Sequence, residues 1–505
     1  MIGKFCRIFY TIKEQKPIQL IYRIKRKKAS FSKNPRAISK YKLEKIPNFS
    51  KENFFELFNE NLPELWSHKL PLITYHLNYF DNIHSQSKES GIKLIIDWID
   101  NNKASSLAWD PYPTSLRMVN WFKFIAEHNI QNKKIETSLY KQAEALFAKR
   151  EYHLLTNHLF KNIVALLYAG VIFENSKWKN WALKELDTQL SEQLTEDNYH
   201  FELSPTYHAI FTLDLLDIYN LMISNRGNEN IIRNLKKIIP DALYWCNYFS
   251  YKNKYFLIND VNYEGCPNFS TLKEFANNLG LSINKNKNNQ LYPTMESGSF
   301  KLMTFLAEHQ PKYNPAHSHD DLSSFLLWHK EQAVIVDTGN YCYDESLERS
   351  YSRSTKAHNC FTVKDENQSE MWKSFRIAKR SKITTKNITN KSIEIGHNGY
   401  KKHNLKYKRL FKKIDNGFEI IDIFESKKNK QYSIYLHFHP NCKVDFTGNK
   451  ILLNDNISLE IKSKNWKIIE TDFYPEMFIK EKKKTLIIKG NTSEKSHKII
   501  IKEIK

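Results

Sequence analysis

Two textures of hydrophobic spacing divide the chain. Between about residue 52 and residue 250, apolar side chains recur every three or four positions. Leu116, Val119, Phe122, Phe124 and Ile125 form one such set, and Leu159, Ile163, Leu166 and Leu167 a second. Ile210, Phe211, Leu215, Ile218, Leu221 and Met222 form a third. That spacing lines one face of an α-helix, and many such segments joined by short polar links predict stacked helical hairpins. After about residue 290 the apolar runs shorten and alternate between Lys, Asn and Asp turns, as in 300–306, 418–424, 432–439 and 485–489. These read as strands of an antiparallel β-sandwich. The polar run 284–290 has linker composition, so the expected division is a basic segment 1–50, a helical domain 51–290 and a β domain 291–505.

Length and composition agree with this division. A chain of 505 residues is too long for one ordinary core, and a hydrophobic content of 41% excludes a disordered chain. The formal charge of +22 favours a polyanionic partner. Residues 1–50 are basic, notably from Tyr22 to Lys28, and predict either a solvated helix face packed on the body or an arm that binds anions. No nucleic-acid-binding motif accompanies the charge. The six cysteines are scattered without a Cys-x-x-Cys pair, which fits a reducing compartment and indicates neither a thiolate zinc site nor a disulfide framework. Charge interrupts the N-terminal apolar residues before a signal-peptide core develops. No stretch reaches the length of a spanning helix. The expectation is therefore a soluble, cytoplasmic protein without membrane insertion.

Candidate chemistry concentrates between Asn314 and His358. His317 and His319 are spaced His-x-His, and on an extended chain their side chains point the same way. One then acts beside the other, or both hold a metal. Val334–Tyr341 reads as a buried strand that carries Asp337 into the interior, where a carboxylate needs a cation or several donors. His319, Asp337 and His358 together offer two imidazoles and a carboxylate, a set that suits zinc.

Three stretches of the helical half carry polar residues out of place for a simple core. In Thr156-Asn-His-Leu-Phe160, Asn157 and His158 stand where a helix begins, with Thr156 or Asn157 as its cap. In Glu202-Leu-Ser-Pro-Thr-Tyr-His208, Ser204 and Pro205 mark a helix start and place Tyr207 and His208 in its opening turn. Trp109, Tyr112 and Trp121 lie beside Arg117 and Asn120. Aromatic faces stack on sugar rings and a guanidinium pairs with carboxylate or sulfate, so this third stretch suits an acidic-saccharide groove as well as an ordinary amphipathic helix.

In register, these stretches resemble the heparinase II/III-like polysaccharide lyases, related to alginate and oligoalginate lyases. The resemblance runs from about residue 100 to 440. It rests on Tyr112-Pro-Thr-Ser-Leu-Arg117 with Asn120-Trp121, Asn157-His-Leu-Phe160, Glu202 to His208, His317-Ser-His-Asp-Asp-Leu-Ser323, Val336 to Tyr341 and Ala357-His-Asn359. It implies an α/α toroid followed by an antiparallel β-sandwich, with the active cleft between them. It also implies cleavage of a uronic-acid-containing polysaccharide or oligosaccharide by β-elimination. Asn157, with His158 beside it, matches the position that neutralises the uronate carboxylate. Tyr207 and His317 match the catalytic tyrosine and histidine, and a syn or anti course decides which is base and which acid. His319, Asp337 and His358 match a structural zinc site found in some members. Arg353 and Asn359 flank the same region as candidate substrate contacts. A non-catalytic acidic-saccharide-binding protein on the same scaffold, or a metal-dependent hydrolase built on the histidine cluster, are the competing classes.

Overall fold

The computed structural model describes residues 2–25, 29–44, 66–261, 266–285, 289–447, 450–463 and 465–504. The chain forms two compact units. One comprises Met1–Glu14, Leu257–Asn262 and Asn286–Lys505, and the other comprises Gln15–Phe256 and Tyr263–Lys285. The basic segment is therefore not a separate body, because its residues are shared between the two units. The centre of the polar run 284–290, and residues 51–65 at the expected start of the helical domain, lie outside the described residues.

Helix α1 (Ile2–Lys13) belongs to the first unit and α2 (Pro17–Ile24) to the second. The helical unit continues with α3 (Pro71–Leu77), α4 (Lys88–Asn101), α5 (Pro111–His128), α6 (Lys133–Ala148), α7 (Thr156–Ile172) and α8 (Ser176–Gln193). It ends with α9 (Pro205–Ser224), α10 (Glu229–Tyr248) and α11 (Phe269–Asn278). The pairs α7/α8 and α9/α10 pack as hairpins, while α7 also packs on α5, α6 and α9. Nearly every side chain of α7 and α9 is buried, whereas α8 and α10 bury one face each. Local chemistry sets the helix starts. Asparagine side chains cap α6, α8, α10 and α11, and Ser204 caps α9 ahead of a proline.

The inner helices enclose charges as well as hydrocarbon. Lys123 of α5 pairs with Asp217 of α9 at 2.5 Å, and Lys161 of α7 with Asp214 of α9 at 2.6 Å, all four side chains being nearly inaccessible. Residues 29–44 run without helix or strand across α5, α7 and α9. The backbone N–H of Ser39 donates to Ile172 O at 2.9 Å, the Tyr41 hydroxyl to Phe122 O at 2.5 Å, and the Glu44 N–H to Asn220 Oδ1 at 2.9 Å. The bond to Ile172 O, at the end of α7, satisfies a carbonyl that a helix end leaves without a partner.

The other unit is built on antiparallel sheets. The largest has eight strands, in the order Ile383–Ile388, Ser392–His397, Leu405–Ile414, Gly417–Ser426, Ser496–Glu503, Ile457–Ile461, Lys450–Leu453 and Val444–Thr447. A four-stranded sheet orders Trp466–Phe473, Glu481–Asn491, Gln431–His437 and Phe361–Val363. A second orders Thr294–Ser297, Phe300–Thr304, Phe325–His329 and Gln332–Ile335. Alternate side chains of these strands meet in one hydrophobic core containing Phe325, Phe361, Tyr407, Phe411, Ile420 and Ile434. Besides α1, the described residues of this unit include the short helix α12 (Leu347–Ser352). Among the described residues no helix is long and apolar enough to cross a membrane.

A buried ion pair in the large sheet reaches toward the histidine region. Arg409 binds Asp422 through Nε at 2.7 Å and Nη2 at 3.0 Å, and its Nη1 donates to Ser323 O at 2.9 Å and Asn359 O at 2.6 Å. These carbonyls belong to the two segments that carry His319 and His358.

Candidate active site and metal-ligand cluster

The helical unit presents its candidate residues at the start of α7. Neither Thr156 nor Asn157 caps this helix. The N-cap position is Leu155, whose side chain makes no cap bond. Leu155 and Thr156 have φ of 60° and 53°, left-handed values that are costly for residues with a Cβ. The turn that aims Asn157 is thus held against local preference by what surrounds it.

The capping role falls to Glu202, which is 1% exposed. Its Oε1 accepts the Asn157 backbone N–H at 3.2 Å, and both carboxylate oxygens accept from Asn157 Nδ2 at 3.0 Å. A carboxylate at a helix N-terminus complements the helix dipole. It also fixes the Asn157 amide with its nitrogen toward Glu202. His158 is held in a similar manner. Its Nδ1 lies 3.0 Å from Glu151 Oε1, while Glu151 Oε2 accepts from Asn162 Nδ2 at 3.0 Å. The imidazole packs 4.5 Å from the Tyr112 ring and keeps 29% of its side chain exposed. Burial pulls its pKa down, but the charge of Glu151 and the hydrogen bond to it outweigh that effect, and the net direction is upward. The result is a partly exposed imidazole that favours its cationic form, at a helix N-terminus.

Tyr207 is half-buried in the first turn of α9, as expected, with its backbone N–H on the capping Ser204 Oγ at 3.4 Å. Its neighbour His208 turns inward. His208 is 1% exposed, its Nδ1 accepts the His200 N–H at 3.1 Å, and its Nε2 meets Ala242 O at 2.8 Å. Burial pushes its pKa down to about 3, so it is a neutral structural residue and not a substrate contact.

The third stretch also lies deeper than a sugar-stacking groove requires. Arg117 and Trp121 have no exposed surface, and Trp109 is buried. The Arg117 guanidinium lies 3.8 Å from the Trp98 ring centroid and donates to Gln142 Oε1 at 2.9 Å, Ala108 O at 2.9 Å, Asn78 O at 3.2 Å and Thr114 Oγ1 at 3.2 Å. With four of its five donors spent internally and no exposed surface, it joins the ends of several helices and is closed to a sulfate or carboxylate. Asn120 is half-buried, with Nδ2 on Tyr79 O at 2.8 Å. Of this set, half-buried Tyr112 stands beside His158.

In the β unit, His317 lies in a turn and His319 in the irregular chain after it, not on a strand. Their rings still converge, because both reach one carboxylate that the motif reading missed. His317 Nδ1 is 2.9 Å from Asp260 Oδ2, and His319 Nε2 is 2.8 Å from Asp260 Oδ1. Asp260 arrives on the short segment Leu257–Asn262, which interrupts the helical unit and joins the β unit. Burial raises its pKa, but Arg349 and the two imidazoles more than reverse that and hold it well below the usual carboxylate range. Arg349, from α12, approaches Asp260 with both terminal nitrogens, Nη2 at 2.9 Å. Asp260 thus orients the two imidazoles and Arg349 at once.

His319, Asp337 and His358 each place a ligand atom within 4.8 Å of the others, and all three are buried. The strand Gln332–Ile335 ends two residues before Asp337, so the expected strand does not extend to it. Asp337 is carried in by the turn that follows, where Gly339 has φ of 82° and a Cβ would lie 2.1 Å from Tyr474 O. His358 Nδ1 meets Asp337 Oδ2 at 2.7 Å. His319 Nδ1 and His358 Nε2 are buried without a hydrogen-bond partner, an arrangement that is costly unless a cation fills it. Burial, with the neighbouring charges of His358 and Arg349, lowers the His319 pKa to about 4, so its imidazole is neutral and available as a ligand. Asp321 beside them is pushed up to about 7 by burial, against the pull of His358. The donor set fits a divalent ion that prefers imidazole and carboxylate.

Arg353 and Asn359 are interior residues and not substrate contacts. Arg353 is 1% exposed, with donors on the carbonyls of Ser318, Lys373 and Ser374. Asn359 Nδ2 donates to Phe325 O at 2.7 Å and Val336 O at 2.9 Å, while its Oδ1 accepts the His437 N–H at 2.8 Å.

Comparison with known families covers nearly the whole described chain. Residues 75–297 match the heparinase II/III N-terminus, and residues 289–502 match the heparinase II/III-like C-terminal domain. The chain belongs to the heparinase II/III family. The heparin-sulfate lyase of Bacteroides thetaiotaomicron is 22% identical over 414 residues, which are 70% of this chain and 57% of that protein. The heparin-sulfate lyase of Pedobacter heparinus is 23% identical over 259 residues, 46% of this chain and 39% of that one. The chain spans about half the length of the curated relatives it matches. A crystal structure of heparinase III superposes with a TM-score of 0.66 at 16% identity, covering 91% of this chain and 82% of that one. A heparan sulfate lyase from Pedobacter heparinus gives 0.55 at 16%, covering 87% and 78%. This heparinase II/III chain shares their fold class, a helical toroid followed by an antiparallel β-sandwich.

Proposed function

We propose that the protein is a polysaccharide lyase that cleaves an acidic, uronate-containing polysaccharide or oligosaccharide by β-elimination. The observation that carries this reading is the start of α7, where Asn157 and His158 stand side by side, each oriented by its own buried carboxylate. The elimination needs such a place. The C5 proton of a uronate is too weakly acidic while the adjoining carboxylate keeps its full charge, so that charge must be neutralised and the enolate stabilised. The helix N-terminus supplies positive potential, and the His158 imidazole, whose pKa Glu151 raises, adds to it when protonated. Asn157, with its nitrogen bound to Glu202, offers its amide oxygen as acceptor to a protonated carboxyl.

The base removes the C5 proton, the C–H electron pair forms the C4–C5 double bond, the C4–O bond breaks, and the departing oxygen takes a proton. Tyr207 is the proposed proton carrier in the helical unit and serves both transfers in a syn course. In an anti course His317, oriented through Nδ1 by Asp260, takes one of them. His319, Asp337 and His358 are the residues that would hold a zinc ion. Bound there, the ion would cross-link three chain segments and fix the loop that bears His317.

The test is ultraviolet absorbance of the unsaturated uronate. Purified protein is incubated with heparan sulfate, heparin, hyaluronan, chondroitin, alginate and polyglucuronate, beside Tyr207→Phe. A rise that is lost in Tyr207→Phe supports the lyase and names the substrate class. Saccharide binding without a rise on any polymer would replace it with a binding protein, and a saturated product with a hydrolase.

A further inference from the structure

The two N-terminal helices are amphipathic in the reverse of the usual sense. In α1 the polar face is the one docked on the protein. Arg7 Nε binds Glu370 at 2.9 Å, Thr11 Oγ1 accepts from Trp372 Nε1 at 3.3 Å, and Lys379 Nζ lies 5.3 Å from the Tyr10 ring centroid. The opposite stripe, Phe5, Ile8, Phe9 and Ile12, has the i, i+3, i+4, i+7 spacing of a buried helix face. Yet these side chains are 70%, 37%, 63% and 44% exposed. Helix α2 repeats the inversion. Gln19 is 1% exposed, while Leu20, Ile21 and Ile24 are 37%, 47% and 84% exposed. Seven large apolar side chains clustered in one short stretch of sequence are more than the scattered exposure of an ordinary surface.

Charge selects the occupant. The first 28 residues hold nine lysines and arginines against one glutamate, with four of the cations consecutive at Lys25–Lys28. Apolar helix faces in a stretch of sequence this basic match an anionic lipid surface, where hydrocarbon inserts among the acyl chains and cations meet the headgroups. We propose that the apolar face of α1 and that of α2, each taken on its own unit, are contacts for the surface of an anionic bilayer, on which each helix lies without spanning it. The occupant of each face is lipid, and the polysaccharide chemistry plays no part in it.

The test is co-sedimentation of the full chain with two kinds of vesicle, one of pure phosphatidylcholine and one with phosphatidylglycerol in equal parts. The variants are Ile8→Glu/Phe9→Glu and Ile21→Glu/Ile24→Glu, whose positions are exposed, with thermal unfolding to verify that each folds. Binding to the anionic vesicles that weakens in high salt and falls about tenfold or more in each double variant is expected. Absence of binding to anionic vesicles, or binding indifferent to the variants, overturns the proposal. Concentration-dependent self-association that the same variants abolish, without vesicle binding, would assign the surface to a second copy of the chain.

Discussion

Replacing Asp260 by asparagine isolates what one buried carboxylate does for the β-unit cluster. Asp260 has no exposed surface and Arg349 is 1% exposed, so the substitution leaves a guanidinium uncompensated in the interior. Breaking a buried pair on one side costs about 3–5 kcal/mol. Arg349 retains neutral partners in Asn340 Oδ1 at 2.7 Å and Ser374 O at 3.0 Å, and the rings of Tyr343 and Phe375 lie 5.1 and 5.3 Å from it. The loss is therefore expected near the lower end, about 3 kcal/mol. The assay is urea unfolding followed separately by far-ultraviolet circular dichroism and tryptophan fluorescence, since two units need not unfold together. The double variant Asp260→Asn/Arg349→Met removes the stranded charge and is expected to recover part of the loss. A change below about 0.5 kcal/mol in Asp260→Asn, the range of an ordinary surface substitution, would refute the assignment of Asp260 as the centre of this cluster.

Four further outcomes follow from the same geometry. Glu151→Gln removes the charge that raises the His158 pKa. A raised imidazole pKa stabilises the fold fully below the ordinary histidine value and loses that contribution as pH rises through the folded value, so the variant should lose its cation at lower pH, as read by NMR titration of His158. Arg117→Ala should cost several kcal/mol of stability, about 3, in urea unfolding and, under the proposed lyase activity, leave KM of the folded protein unchanged; a raised KM with intact stability would return Arg117 to a saccharide groove. Stripping divalent ions with a chelator should lower the thermal midpoint and zinc should restore it, whereas His358→Ala should respond to neither. Glu202→Gln keeps an acceptor for Asn157 but removes the capping charge, and should lower kcat more than it changes KM; an equal effect of the variant on saccharide binding alone would count against Asn157 acting on the enolate.

The order of helices before strands, the helix starts at Ser204 and Pro205, and the gathering of His319, Asp337 and His358 were all legible in the sequence. Periodicity and capping are local properties, and the histidine motifs carry their own chemistry. Burial, which sequence does not display, decided the remaining roles. Arg117, Trp121, His208, Arg353 and Asn359 look like ligand-facing residues in a string of letters, but the same donors and rings serve equally well as internal partners, and only packing distinguishes the two uses. Asp260, and the capping role of Glu202 within its motif, were missed for the converse reason. A lone carboxylate has no pattern until the fold brings an amide, an imidazole or a guanidinium to it.

The sequence by itself determined which segments coil and which extend, because side-chain period and turn chemistry act over a few residues. The tertiary structure decided the rest: that a short segment within the helical half supplies the carboxylate for two distant histidines, that Glu202 caps α7, and that α1 turns its apolar stripe to solvent. These outcomes depend on long-range desolvation and on the pairing of buried charges. Neither acts until the chain is compact.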